Sequence, residues 1–244
     1  GLNDPSKAVL ASTLWIAIWW ITEALPIMVT ALLPIVLFPL TGGMDLAVTS
    51  AAYGHKFIFL IMGGFIIAIA IEKWNLHKRI ALNIINFIGT DIKKIILGFM
   101  VATAFLSMWI SNTATSVMML PIGIVIIKQL SEHPMSDSFE NLNFGKALML
   151  SIAYSASIGG IATLIGTPPN MVMAGIVSQT YGYEISFFEW FIFGFPVMIL
   201  LLFVSWFFLT RWAFSFKQNK FPGGREEILR LRNELGKITY EQIV

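Results

Sequence analysis

The sequence predicts an all-α integral membrane protein, a polytopic helical bundle that contains a re-entrant hairpin and a discontinuous helix. Three observations lead to this fold class. The chain is 57% hydrophobic and only 12% charged, with a mean hydropathy of +0.77, whereas soluble domains carry about 25% charged residues. Several apolar stretches reach the roughly 20 residues that a membrane-spanning helix needs. Two of them carry polar residues at their centres, where a simple membrane helix would be entirely apolar.

The composition also narrows the function. The net charge of +2 and the pI near 8.8 come from basic residues that flank apolar segments, so they do not indicate a nucleic-acid partner. The lack of cysteine excludes disulfides, thiolate metal sites and cysteine nucleophiles. The sequence contains no phosphate-binding loop, zinc signature or Ser-His-Asp arrangement, because His55, His77 and His133 all fall in loop or surface segments. We therefore do not expect an enzyme.

The first apolar stretch, residues 8–40, would form a helix of about 50 Å, which is too long for one span. Pro26 cannot continue a helix, and the neighbouring Glu23 favours water. We therefore predict two short spans, 8–24 and 26–40, with Glu23 at the membrane interface. A loop or short helix follows over 46–56.

A third span is predicted over 57–71, where Gly63 and Gly64 allow close packing against a neighbouring helix. The pattern then changes, because apolar residues recur at helical spacing among charged and amide residues. The apolar positions are Leu76, Ile80, Ile84 and Ile88. This pattern predicts an amphipathic helix over 73–90 that lies on the membrane surface and has His77 on its solvated face.

The stretch 93–129 combines apolar flanks with a polar centre. Six hydroxyl or amide side chains fall within ten residues: Ser107, Ser111, Asn112, Thr113, Thr115 and Ser116. Lysine occurs at both ends, at Lys93, Lys94 and Lys128. We interpret the stretch as a re-entrant hairpin that turns at Ser-Asn-Thr and returns to the same side. Such a turn must be buried in protein or line a wet cavity. The alternative is that the hydroxyls only bond back onto helix carbonyls.

A polar loop is predicted from Leu130 to Lys146, followed by a second interrupted stretch over 147–180. Gly166-Thr167-Pro168-Pro169-Asn170 lies in the middle of this stretch, and two adjacent prolines cannot continue a helix. No charge appears between Ala147 and Tyr183. The pattern favours a discontinuous helix, and the alternative is a loop between two separate helices.

A last span is predicted over 190–210, and the chain then becomes polar. Seven basic residues follow: Arg211, Lys217, Lys220, Arg225, Arg230, Arg232 and Lys237. By the positive-inside rule, 211–244 is a cytoplasmic linker helix, stabilised by a Glu226–Arg230 pair. Counting spans back places Gly1 outside, which predicts a further helix upstream. We expect an integral protein of a bacterial inner or plasma membrane.

The two interrupted stretches are chemically neutral at their centres. A proton-coupled carrier generally needs an ionisable group inside the membrane, so their neutrality favours Na⁺ coupling or uncoupled movement. Freed carbonyl oxygens and Asn or Ser oxygens can bind Na⁺, and helix N-termini with hydroxyl groups can bind a carboxylate.

The same residues carry a family resemblance that covers nearly the whole chain. Trp-Ile-Ser-Asn-Thr-Ala-Thr (109–115) with Met-Leu-Pro (119–121), together with Gly-Thr-Pro-Pro-Asn (166–170), resembles the divalent anion/Na⁺ symporter family. That family includes Na⁺/dicarboxylate and Na⁺/citrate cotransporters. Thr-Glu-Ala-Leu-Pro (22–26) and Phe-Pro-Leu-Thr-Gly (38–42) are similar to its early signature.

The resemblance implies roles for particular residues. Na⁺, the coupling ion, would be bound by Ser107, Ser111, Asn112 and Gly166. The substrate carboxylate would face Asn112, Thr113, Thr167 and Pro168. The family moves a hairpin-bearing transport domain against a dimeric scaffold, which implies a homodimer through scaffold residues 1–90 and a transport-domain half over 91–210.

The sequence departs from the family in one respect. The family has two inverted repeats, and we find one Ser-Asn-Thr and one Pro-Pro-Asn here, so the second repeat is apparently absent and the chain resembles the N-terminal half. The predicted function is Na⁺-coupled import of di- or tricarboxylates of the succinate, malate, fumarate or citrate class by alternating access. The alternatives are a dicarboxylate exchanger without Na⁺ coupling, a channel, or a half-transporter fragment that transports nothing.

Overall fold

The computed structural model describes residues 1–89, 91–131, 138–214, 216 and 224–242, and every regular element within them is helical. The helices are α1 (Asp4–Thr22), α2 (Ile27–Thr30), α3 (Leu33–Leu40), α4 (Leu46–Tyr53), α5 (Lys56–Lys73), α6 (Leu76–Ile88), α7 (Ile92–Ser107), α8 (Asn112–Ser131), α9 (Ser138–Gly160), α10 (Pro168–Tyr181), α11 (Phe187–Phe207) and α12 (Gly224–Glu234). A π-helical turn, Phe208–Ala213, continues α11, and a 3₁₀ turn, Tyr240–Gln242, closes the described chain. The predicted all-α fold class is confirmed.

The chain divides into two compact units, Gly1–Leu60 and Ile61–Val244. In the first unit, the Asn3 side chain caps α1, and α1 ends where Glu23 adopts a left-handed conformation with φ of 50°. The predicted span 26–40 is divided into α2 and α3 by a turn at Ala31 and Leu32. The Tyr53 hydroxyl donates to the Ala31 carbonyl oxygen at 2.6 Å, which satisfies a backbone group at this turn.

The core of the second unit is built around α7, which packs against α6, α8 and α9. Ile95, Ile96 and Phe99 of α7 are fully buried. Gly98 brings α7 close to α6, because a Cβ at this position would lie 3.0 Å from the Ile85 Cα atom. Within a membrane, burial of these side chains stabilises the unit through close van der Waals packing and not through removal from water.

Three helical stretches within the described residues are long and apolar enough to cross a membrane: Leu46–Lys73, Asn112–Ser131 and Phe187–Ala213. The first and third contain the spans that we predicted over 57–71 and 190–210. The second is α8, which corresponds to the second arm of the predicted hairpin, and its 20 residues would extend about 30 Å. The re-entrant path of the hairpin through the membrane stays a prediction.

Three sequence-based expectations are wrong. His77 is only 4% exposed and packs into the core side of α6, although we expected it on the solvated face. The predicted loop from Leu130 to Lys146 gives way to α9, which begins at Ser138, while residues 132–137 of that loop lie outside the described residues. Arg230 pairs with Glu227 and Glu234 and not with Glu226, because Glu227 lies on the buried face of α12.

Candidate functional site

The turn between α7 and α8 holds the first group of site residues. Ser107 ends α7, Asn112 begins α8, and the four residues between them form a tight turn. The Ser107 hydroxyl lies 2.8 Å from the Asn112 Oδ1 atom and 2.6 Å from the carbonyl oxygen of Ala156 on α9. Three oxygens from three helices therefore converge where the hairpin turns.

Glycines at the end of α9 make this convergence possible. A Cβ on Gly159 would collide with the backbone of Ala104, and a Cβ on Gly160 would collide with the Asn112 side-chain amide. A Cβ on Gly166 would lie 2.5 Å from the Gly160 carbonyl oxygen. Only glycine permits backbone approaches this close. Gly160 consequently packs between the Asn112 side chain on one side and Gly166 on the other.

Side chains satisfy the backbone groups that the helix break releases. The Asn170 amide donates to the carbonyl oxygens of Gly160 at 2.8 Å and Thr163 at 2.7 Å. The Thr163 hydroxyl donates to the Met108 carbonyl oxygen at 2.6 Å and accepts from the Gly166 N–H at 3.0 Å. Since Met108 belongs to the hairpin turn, these bonds fix the break between α9 and α10 against the hairpin tip.

The site has a buried side and an exposed side. Ser107 and Gly166 are buried, whereas Thr113 and Pro168 are exposed. Asn112 is partly buried and lies between the two sides. The residues assigned to Na⁺ by resemblance thus include the buried ones, and those assigned to the substrate include the exposed ones.

The two helix N-termini at the site differ in what they can donate. In the described part of the chain, the N–H groups of Asn112 and Thr113 at the start of α8 have no hydrogen-bond partner. At the start of α10, Pro168 and Pro169 have no N–H, and the Asn170 N–H donates to Thr167. The stronger anion-binding terminus is therefore that of α8.

Ser111 has a local role in the structure. Its side-chain oxygen accepts from the Ala114 N–H at 3.3 Å and so caps the first turn of α8. The sequence did not identify the Ala156 carbonyl or Gly160 as parts of the cluster. The Gly159-Gly160 pair indicated close packing. Every residue has a backbone carbonyl, however, so the sequence cannot indicate which carbonyl oxygen enters a site.

Two buried hydroxyls lie near the hairpin tip without partners. The Thr103 and Thr115 side chains are fully buried, and neither Oγ1 atom has a hydrogen-bond partner among the described residues. Thr103 lies one helical turn before Ser107, and Thr115 lies one turn after the start of α8. Unpartnered buried hydroxyls are uncommon in folded proteins.

Broken helices whose ends meet at a cluster of neutral oxygens, in a chain with membrane-length helices, define the class of helical membrane transport proteins. Residues 17–237 match the family model described as citrate transporter. The chain belongs to this family of citrate transporters, and the resemblance stated above is confirmed at that level.

The relatives found among curated proteins agree with this assignment. The chain is 49% identical over 245 residues to a protein named sodium-dependent dicarboxylate transporter from Staphylococcus saprophyticus, covering all of this chain and 47% of the relative. It is 51% identical over 240 residues to a protein of the same name from Staphylococcus aureus strain USA300, covering 97% of this chain and 46% of the relative. The chain thus spans about half the length of these relatives.

Proposed function

We propose that this chain carries one half of the machinery of a Na⁺-coupled dicarboxylate transporter. The names of its relatives supply the substrate class and the coupling ion. The observation that carries the proposal is the convergence of Ser107 Oγ, Asn112 Oδ1 and the Ala156 carbonyl oxygen within 2.6–2.8 Å of Ser107.

With the Asn112 amide oriented so that Oδ1 faces Ser107, this oxygen cluster has too few protons. Ser107 has one hydroxyl hydrogen and two neighbouring acceptors, so it can donate to only one of them at a time. A cation between these oxygens would accept lone pairs from all three and remove the conflict. Neutral oxygens are suitable ligands for Na⁺. We assign the Na⁺ site to Ser107, Ser111, Asn112 and Gly166, and add the Ala156 carbonyl as a ligand that the structure suggests.

The substrate carboxylate would bind at the start of α8. There the unpartnered N–H groups of Asn112 and Thr113 and the positive end of the helix dipole favour an anion. Thr167 would add a hydroxyl group, since its side chain makes no capping bond. Pro168 lacks an N–H and would contribute shape and apolar contact.

The shared residue Asn112 explains how coupling would arise. Its side chain belongs to the cation cluster, while its backbone N–H belongs to the anion site. A bound Na⁺ would fix the conformation of Asn112 and so prepare the N–H groups of α8 for the carboxylate, which is positive cooperativity between the two ligands.

Import of di- or tricarboxylates by alternating access extends this proposal. In this cycle, residues 91–210 would move against a homodimeric scaffold formed by residues 1–90. Residues 211–244 would lie on the cytoplasmic side. A second candidate is a half-transporter that binds its ligands and transports nothing. The chain spans about half the length of the named relatives, so this candidate is tested together with the first.

Thermal unfolding of the purified chain in detergent tests the cation site. We expect Na⁺ to raise the melting temperature relative to K⁺ at equal ionic strength, because a ligand that binds only the folded state stabilises it. Asn112→Ala and Ser107→Ala should abolish the difference. Ser157→Ala is the matched control, since Ser157 is exposed on α9 and bonds only to the Ala153 carbonyl of its own helix.

Succinate added with Na⁺ or with K⁺ then separates the candidates. Extra stabilisation by succinate only in Na⁺ supports coupling, and counterflow in proteoliposomes separates a transporter from a binding fragment. Stabilisation by succinate that is equal in Na⁺ and K⁺ would favour the exchanger. Coinciding melts under all conditions would contradict the cation site.

A further inference from the structure

A second polar site lies where α6 meets the segment after α12. It is a pocket of about 490 Å³ lined by Arg79, Asn83, Arg232, Asn233, Lys237 and Ile238. Three of these residues are cationic and two carry amide groups, so every ionisable side chain that lines the pocket is positive. A pocket of this composition attracts an anion.

The positive charges of the pocket are not neutralised by carboxylates. In the described part of the chain, Arg79, Arg232 and Lys237 form no ion pair. The neighbouring acids of α12, Glu227 and Glu234, are both bound to Arg230. The third acid of α12, Glu226, does not line the pocket, so no carboxylate belongs to the lining.

Arg79 holds the pocket in shape. The two N–H groups of one terminal nitrogen are shared among the carbonyl oxygens of Leu235 and Gly236 at 3.0 Å and of Lys237 at 3.2 Å. The Nε donates to the Gln242 side chain at 3.0 Å. These acceptors are neutral, so the guanidinium keeps its full charge while it fixes the segment that carries Lys237. The site is consequently preorganised.

Apolar side chains extend from the same surface. Phe87 lies eight residues beyond Arg79 on α6, about 12 Å along the helix and rotated by about 80°, and is 90% exposed. Ile238, which lines the pocket, is 58% exposed, and Tyr240 nearby in sequence is 75% exposed. Such exposed aromatic and aliphatic groups beside a basic site are typical of a surface that meets the membrane interface.

We propose that this pocket binds the phosphate group of an anionic phospholipid, with Arg232, Lys237 and Asn83 as ligands and Phe87 in contact with the lipid chains. Basic residues clustered on an amphipathic helix at the membrane surface are suited to anionic lipid headgroups. A dissolved phosphate ion would use the polar ligands but would gain nothing from Phe87. The contribution of Phe87 therefore distinguishes a lipid from a free ion.

Binding of short-chain lipids to the purified 244-residue chain, measured by native mass spectrometry, tests the proposal. The probes are dihexanoyl phosphatidylglycerol, dihexanoyl phosphatidylcholine and inorganic phosphate. We expect phosphatidylglycerol to bind most tightly and the double variant Arg232→Gln/Lys237→Gln to weaken it by about thirtyfold. Neither side chain makes a bond in the described structure, so the melting temperature should stay unchanged.

Two further variants keep the result interpretable. Lys78→Gln is the matched control, because Lys78 is adjacent to Arg79 but lines a different pocket. Its effect should stay within about twofold; an effect equal to that of the double variant would show general charge attraction and overturn the site. Phe87→Ala should weaken the lipid severalfold and leave inorganic phosphate unaffected. Equal affinity for the lipid and inorganic phosphate, or for both lipids, would overturn the lipid assignment.

Discussion

The Thr163 hydroxyl donates a 2.6 Å hydrogen bond to the carbonyl oxygen of Met108. Thr163 lies in the break between α9 and α10, and Met108 lies in the turn between α7 and α8. Both residues are buried, so water does not compete for the bond. The two interruptions of helical structure are thus joined directly, and each satisfies a backbone or side-chain group of the other.

Thr163→Val is expected to destabilise the protein. The substitution keeps the side-chain shape but leaves the buried Met108 carbonyl without this donor, and a buried unsatisfied group costs about 1–3 kcal/mol. The Gly166 N–H loses its shorter bond and keeps a 3.4 Å bond to the Thr163 carbonyl oxygen. We expect the free energy of unfolding in detergent to fall by roughly 2–3 kcal/mol and the stabilisation by Na⁺ to weaken. Thr210→Val is the control, since Thr210 is buried but bonds only to a carbonyl of its own helix. Equal losses in both variants would contradict a special role for Thr163.

Gly160→Ala is expected to disrupt the proposed cation site. The added methyl group would collide with the Asn112 amide and displace its Oδ1 atom from Ser107. Overpacking of this kind costs about 1–3 kcal/mol, and the melting temperature should no longer respond to Na⁺.

Gly63→Ala provides the matched comparison for that prediction. A Cβ at Gly63 meets no atom within 4 Å, and the residue lies inside α5. Alanine is favoured over glycine within helices by up to about 1 kcal/mol, so this variant should be as stable as the native chain or more so. A normal Na⁺ response in Gly160→Ala would show that Asn112 does not need its present position.

The sequence predicted where the helices are interrupted, at Ser-Asn-Thr and at Pro-Pro-Asn, because both interruptions depend on local signals. Adjacent prolines at 168 and 169 prevent a helix from continuing, and polar groups at 111–113 are costly inside an apolar helix. In the structure, α7 ends just before the polar groups at 111–113 and α8 begins among them. The chain leaves helical structure between α9 and α10, and α10 begins at the first of the two prolines. The membrane path, the repeat relationship and the transport domains stay predictions.

The sequence could not predict features that depend on distant partners. His77 has the polarity of a surface residue, and its burial follows from the packing of α6 against the rest of the unit. The Ala156 carbonyl enters the site only because Gly159 and Gly160 allow α9 to approach the hairpin. The preference of Arg230 for Glu227 likewise depends on which face of α12 is covered.

Thr103→Val should change stability in the direction opposite to Thr163→Val. The Thr103 hydroxyl is fully buried without a partner, so its removal relieves a desolvation cost of about 1–3 kcal/mol. We expect the melting temperature measured in Na⁺-free buffer to rise or stay unchanged. Thr103→Val and Thr163→Val remove the same group at two buried positions. Their opposite effects would test whether the Thr163 hydroxyl is hydrogen-bonded and the Thr103 hydroxyl is not. A clear loss of stability in Thr103→Val would show that this hydroxyl holds a buried water molecule or ligand.

The stability of the second unit should depend on pH through His77. Burial lowers the pKa of the His77 imidazole below its usual value, assisted by the charge of Lys78, while the Ile71 carbonyl and Glu72 oppose the shift. As the pH falls below about 6.5, the unfolded chain therefore binds a proton before the folded chain does. The stabilisation is complete above that pH and is lost as the pH falls towards the lower folded-state pKa. The melting temperature should decrease as the pH is lowered from 7.5 to 5.5. In His77→Gln the melting temperature should depend less on pH. An unchanged slope in His77→Gln would assign the pH dependence to other groups.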